Sequence, residues 1–304
     1  MRLRTETLQV SHQLLVALAA FDYLTPSQAA RLLGKERSLT YIRETFRSLA
    51  AEKLALSLAG RSVTIPRVFT LTAKGREYAG MLWKPASSRR FRPSEEHDKV
   101  RNPYFLRHTL AVTDVLIAAR LLAKSTPGIT LARMYTERAL KRKISVAIPQ
   151  QRATGGEPHV RQICLEPDAG VLFRVTESWH NPPETWEDFF FIEVYRNLPP
   201  AEWHFKQKVQ GYVATVDTGR HEALFHTPAL AIAVMTVSES EQMAATLKRW
   251  TEETVHEIQQ PEQEQRFFFR NVADPAAVSP EALFLSPLWE QAFGSAKTSL
   301  LVLA

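Results

Sequence analysis

The run ALAIAVMTV, residues 229–237, constrains this chain more than any other stretch. It carries no charge, and Thr236 is its only polar side chain. A continuous apolar run of this length suits a strand buried on both faces, and such a strand needs a layer of structure on each side of its sheet. Helical patterns flank it: AEWHFKQKVQGYVATV (201–216) before and ESEQMAATLKRWTEETVHEI (239–258) after. Two further runs, FFFIEVY (189–195) and QRFFFRNV (265–272), read as a buried strand and as the final strand. Upstream, Phe105–Lys124 reads as a long amphipathic helix and Ile129–Ile148 as strand-like. ICLEPDAGVLFRV (163–175) reads as one long strand or a strand pair broken at Pro167. Helix, three strands, helix, strand, helix, strand predicts a mixed α/β core.

The first third differs in kind. Residues 1–110 hold 19 Lys/Arg against 9 Asp/Glu, a net +10, whereas residues 111–304 hold 19 against 23, a net −4. That asymmetry points to an anionic partner for the N-terminal part, most simply nucleic acid. LQVSHQLLVALAA (8–20) has helical periodicity. Thr25 as cap, Pro26 in the first turn and Gly34 at the end predict a short second helix, Pro26–Leu33. Ser38 caps a third, running to about Leu54 and buried through Leu39, Ile42, Phe46 and Leu49. LALSLAGRSVTIPRVFTLT (54–72) reads as two strands around a Gly60-Arg61-Ser62 turn, and Thr72 caps AKGREYAGML. Three helices, a hairpin and a helix resemble a winged helix-turn-helix, and LTAKGREY resembles the end of many bacterial winged-helix regulators. The resemblance implies duplex DNA as partner, with Thr40, Tyr41, Arg43 and Arg47 in the major groove and Arg61 and Arg67 on phosphates. A protein-binding or dimerising winged helix is the other use of this pattern.

Residues 84–103, KPASSRRFRPSEEHDKVRNP, lack apolar periodicity and read as a linker or surface loop, with Arg89, Arg90 and Arg92 as either further phosphate contacts or part of a solvated tether. The expected division is 1–83, 84–103 and 104–304. Cys164 is the only cysteine, so no internal disulfide can form. No apolar run approaches the roughly 18 residues of a membrane span. A soluble, cytoplasmic protein is expected.

The chemistry-bearing pattern lies at strand ends. Asp168 follows Pro167 immediately before AGVLFRV, and Glu193 closes the run FFFI. Two carboxylates meeting at one end of a sheet can share a hard cation such as Mg2+, which activates water and offsets charge on a phosphodiester. Pro-Asp followed by Glu-x-x, in this element order, resembles the PD-(D/E)xK nuclease superfamily. That pattern implies Lys two residues after the Glu. Here Tyr195 stands there, uncharged at neutral pH. Lys206 and Lys208, on the next helix, are the candidates to replace it, and Glu137 is a candidate additional acid. Tyr195 as a relaxase-type nucleophile is a further reading, weakened because His159, His180 and His204 lack metal-ligand spacing.

With the flanks included, LRHTLAVTDVLIAARLL, MYTERAL, LEPDAGVLF, FFFIEVYRN and FKQKVQGY arrive in an order that resembles the replication-relaxation family. The resemblance covers most of residues 8–217 and implies a bacterial protein of plasmids or integrated mobile elements. It implies an N-terminal winged helix, a nuclease-like second domain, and roles in replication, DNA relaxation or transfer. Where the family commonly has an acid after Glu-Val, this chain has Tyr195, which removes one potential metal ligand. The expected function is a DNA-binding replication or mobilisation factor with a degenerate nuclease-like domain. Its expected partners are double-stranded DNA, replication or transfer proteins, and a second copy of the chain. The alternatives are a Mg2+-dependent nickase or endonuclease using Asp168 and Glu193, with Lys206 or Lys208, and a transcriptional regulator whose second domain dimerises or binds a partner protein.

Overall fold

The structure is a computed structural model that describes residues 9–34, 38–58, 66–82, 103–141, 143–150, 159–177 and 184–302. Arg61, the expected turn around it, and residues 84–102 with Arg89, Arg90 and Arg92 lie outside the described residues. The chain forms two compact units, Met1–Leu121 and Leu122–Ala304.

The first unit contains α1 (Val10–Phe21), α2 (Pro26–Leu33), α3 (Leu39–Ala51), β1 (Ala55–Leu58), β2 (Val68–Leu71) and α4 (Ala73–Leu82). The caps are those the sequence predicts. Thr25 and Gln28 form a reciprocal capping box, Ser38 accepts from the Tyr41 amide, and Gly34 ends α2 at φ 93°. Such caps each contribute about 1 kcal/mol. β1 and β2 pair antiparallel, and Leu24 bridges to Phe69 as a third, one-residue edge. Phe46 of α3 stacks on Phe69 at 4.3 Å, holding α3 against the hairpin. Thr72 accepts from the Gly75 amide and donates to the Lys53 carbonyl at 2.6 Å. α4 thereby comes so close to Leu54 that a Cβ on Gly75 would lie 1.8 Å from the Leu54 carbonyl oxygen. Helices and hairpin together are a winged helix.

Most of α5 (Pro103–Ser125), the helix expected to open the second domain, also belongs to this unit. The physical reason is polar as well as apolar. Gln28 donates to the Leu110 carbonyl at 2.9 Å, and Arg31 pairs with Asp114 at 2.6 Å. Leu106 and Leu110 pack with Tyr23, Leu58 and Val68.

The second unit is built on a seven-stranded mixed sheet ordered β11-β10-β9-β8-β7-β6-β3. Its strands are β3 (Ile129–Thr136), β6 (Ala169–Glu177), β7 (Glu184–Arg196), β8 (Ala231–Val237), β9 (Phe267–Val272), β10 (Trp289–Gln291) and β11 (Lys297–Thr298). β8, from the opening apolar run, sits in the middle and pairs parallel with both β7 and β9. The crossovers are α7 (Glu202–Asp217) with α8 (Arg220–Phe225), and then α9 (Gln242–Glu257). At Pro167 the two-strand alternative holds, and β5 (His159–Leu165) lies outside the sheet in a separate hairpin with β4 (Ile144–Gln150). Two features differ from the sequence reading. A four-residue helix, α6 (Glu137–Leu140), separates β3 from β4. β9 is not the last strand, since β10 and β11 extend the sheet beyond it.

The FFFI run is explained by burial on both faces. Phe189 and Phe191 pack with Phe205, Tyr212 and Phe225 on one side, while Phe190 meets Phe173, which meets Phe284, on the other. Alternation along β7 then places Glu193 and Tyr195 on the Phe189–Phe191 side, beneath α7.

Candidate functional site

Register brings the acids to one row. Thr136 pairs with Ala169 and Ala169 with Ile192, so the next residue on each strand line is Glu137, Asp168 and Glu193. Pro167 ends the preceding extended segment and Asp168 turns the chain into β6. The Asp168 carboxylate accepts the Val194 amide at 2.7 Å. Asp168 is thus held to the backbone of the Glu193 strand.

Glu193 is 2% exposed, on the core face of β7 that also carries Phe189, Phe191 and Tyr195. One of its carboxylate oxygens accepts from the Lys208 ammonium at 2.5 Å, and the other from the Tyr212 hydroxyl. Burial pushes the Glu193 carboxyl up to about 7 and Asp168 adds to the rise, against the opposing pull of Lys208 and Tyr212. For Lys208, burial works against the charge, but Glu193, Asp168 and Glu137 together outweigh it and hold the ammonium above its ordinary value. The direction that follows is an ammonium that stays charged and a carboxyl that shares its proton equilibrium with it.

The two candidate lysines have different surroundings. Lys208 faces the carboxylates, two turns before the Asp217 end of α7 and on the same face as Phe205 and Tyr212. Lys206, two residues earlier, turns away and pairs with Glu202, Glu253 and Glu257 at 3.0, 2.8 and 3.8 Å. It does not join the cluster. The charge missing at Tyr195 is therefore supplied from the helix by Lys208.

Tyr195 lies edge-on to Phe205 at 5.7 Å. Burial, then the negative charges of Glu193 and Asp168, push its phenol well above the ordinary range. A phenol so far from ionising is a poor nucleophile at neutral pH. Tyr212, which the sequence reading did not single out, also donates its hydroxyl to Glu193. Its signal was the four-residue spacing from Lys208 in FKQKVQGY, which puts both on one helix face.

Mg2+ requires oxygen ligands with near-octahedral access. Asp168 and Glu193 are the right donor type, but both oxygens of Glu193 already accept bonds. The residue is closed to solvent, and an ammonium answers its charge. Among the described residues, no group of three or more His, Cys, Asp or Glu side chains is arranged to hold a metal ion. The cluster as folded does not fit a divalent cation.

In the first unit, Thr40, Arg43, Glu44 and Arg47 recur at helical spacing on α3, all exposed, opposite buried Ile42, Phe46 and Leu49. Tyr41 is 48% exposed beside them. The neighbouring hydroxyls are used locally: Thr45 donates to the Tyr41 carbonyl and Ser48 to Glu52. The side chains of Arg43, Glu44 and Arg47 make no ion pair or hydrogen bond with the described residues. Arg67, just before β2, is exposed as well.

These features define a winged-helix protein with an appended mixed α/β unit. The chain belongs to the replication-relaxation family, whose model matches residues 15–227, and so to a class of proteins with a general role in replication or mobilisation. No curated protein and no solved structure matches it at a significant level. No helix among the described residues is long and apolar enough to cross a membrane.

Proposed function

We propose that this protein is a double-stranded-DNA-binding replication or mobilisation factor of a bacterial plasmid or mobile element, acting in the cytoplasm. In this reading α3 enters the major groove, and the α/β unit is a nuclease-like fold that no longer cuts. One observation supports the DNA reading above the others. Arg43 and Arg47 stand on the exposed face of α3 with no carboxylate partner among the described residues, in a part of the chain with a net +10. Unpaired guanidinium groups on an otherwise well-capped helix are available for phosphate or base edges.

Loss of cutting is inferred from the Lys208–Glu193–Tyr212 contacts. A buried, neutralised carboxylate leaves no open position for a phosphodiester and its ion. The replication or transfer proteins of the same element are the expected protein partners, and a second copy of the chain remains an expected one.

Retention of a labelled duplex tests the first half. The Arg43→Ala, Arg47→Ala double variant is expected to bind at least tenfold more weakly than wild type at fixed salt. Unchanged binding would remove α3 as the DNA-facing element. Supercoiled plasmid incubated with protein and Mg2+ tests the second half. Wild type is expected to leave it intact, whereas nicking that disappears with Asp168→Ala would restore the nickase reading.

A further inference from the structure

The exposed stripe of α3 is not uniformly basic. Its order is Thr40, Arg43, Glu44, Arg47, and a carboxylate lies between two guanidinium groups. A helix that only cradles phosphates gains nothing from Glu44, since a carboxylate is repelled by the DNA backbone. Glu44 is also not spent on stabilising its own helix. Arg47, three residues on and within reach, does not pair with it, and neither has another partner among the described residues. An uncommitted carboxylate on a groove-facing helix has one favourable place on duplex DNA, the exocyclic amine of cytosine, which is a hydrogen-bond donor in the major groove. The guanidinium groups beside it match the O6 and N7 acceptors of guanine.

Resting on the DNA-binding reading above, we infer that α3 reads sequence, with Glu44 accepting from cytosine and Arg43 and Arg47 donating to guanine. The ligand is therefore a duplex whose recognised core contains G·C pairs. Arg43 and Arg47 are four residues apart, so along a helix axis with about 1.5 Å rise per residue they are separated by roughly 6 Å. That is about two steps of a duplex with 3.4 Å between bases, so the core read by this stripe is about three base pairs. Glu44 is then the residue that distinguishes a specific site from any other negatively charged duplex.

The experiment is selection from a pool of random-sequence duplexes with the full-length chain, followed by competition with single-base variants of the enriched site. Wild type is expected to enrich a short G·C-containing core. Replacing the cytosine opposite Glu44 is expected to weaken binding about tenfold to a hundredfold. Glu44→Gln is expected to shift that one position from cytosine to adenine, because a carboxamide pairs with the adenine N6 and N7. Glu44→Ala is expected to flatten the same position. Glu44 is exposed, so both variants should melt as wild type does. An enriched core that is unchanged in both variants would overturn the assignment of Glu44. Binding to every duplex alike would overturn sequence reading while leaving DNA binding in place. No retention of any duplex would overturn the DNA-binding reading itself, and this inference with it.

Discussion

Lys208→Met is the most informative single change, because Lys208 is the only cation among the described residues that sits on the Glu193 carboxylate. The substitution keeps most of the side-chain volume and removes the charge. Glu193 is 2% exposed, so its carboxylate cannot recruit bulk water in compensation. Breaking a buried pair by removing one partner costs about 3–5 kcal/mol. The folded protein has one escape, which is to protonate Glu193. That carboxyl already sits at about 7, above its ordinary 4.5. In wild type the folded state therefore binds more protons than the unfolded state between these values. This group's contribution then falls as pH rises from about 4.5 to 7 and is flat beyond. In the variant the carboxyl titrates higher still, so stability keeps falling above pH 7 by up to about 1.4 kcal/mol per pH unit.

Urea unfolding of the full chain at pH 7 and pH 8.5, with wild type alongside, reads this directly. The expected loss is about 3–5 kcal/mol at the higher pH and about 2 kcal/mol less at pH 7. Lys206→Met is the control, since that ammonium sits in a surface network with Glu202, Glu253 and Glu257. Its loss should stay below about 1 kcal/mol. The double variant Lys208→Met, Glu193→Gln removes both charges and should recover most of the stability and lose the extra slope above pH 7. A Lys208→Met protein within about 1 kcal/mol of wild type at pH 8.5 would refute the account of a buried, internally neutralised carboxylate.

Four further outcomes are expected. Tyr212→Phe should cost about 1.5–3 kcal/mol in the same unfolding assay, the range for a hydrogen bond to a charged group. Gly75→Ala should cost about 1–3 kcal/mol or more, because the new methyl group meets the Leu54 backbone rather than a movable side chain. Millimolar Mg2+ should leave the melting temperature where a chelator leaves it, and a clear rise that Asp168→Ala abolishes would show that the carboxylates take a metal. Arg67→Ala should weaken binding to all duplexes alike and lower the salt slope by about one, as expected for a phosphate contact.

Much of the fold was legible because its signals are local. The caps at Thr25, Ser38 and Thr72 act within three residues of themselves, so α2, α3 and α4 begin where the sequence says. The apolar runs of β7 and β8 report burial on both faces whichever strands lie beside them. The short edge strands β10 and β11, of three and two residues, carry no periodicity to detect. The β4–β5 hairpin looked like sheet material because strand propensity is the same in a hairpin that packs on α7 as in a central sheet. Gly211 marks that packing, since a Cβ there would lie 2.5 Å from the Ile163 side chain, but a lone glycine in a helix does not name what approaches it.

The candidate site divides in the same way. The sequence alone determined that Asp168 directly precedes a strand, that Glu193 follows the FFFI run, that Tyr195 occupies the position where the pattern implies lysine, and that the following helix carries two lysines able to replace it. All of these are statements about order and spacing along one chain. Glu193 does not end its strand as expected, because β7 continues to Arg196 in register with β8. Only the tertiary structure decided between Lys206 and Lys208, because two residues along a helix is a rotation of about 200°, enough to send one ammonium into the core and the other to a surface carboxylate cluster. The same rotation law brought Tyr212 beneath the sheet beside Lys208. Whether a carboxylate is an open ligand or a buried, neutralised one depends on what other elements place against it. That is set by packing across the sheet and cannot be read from the strand that carries it.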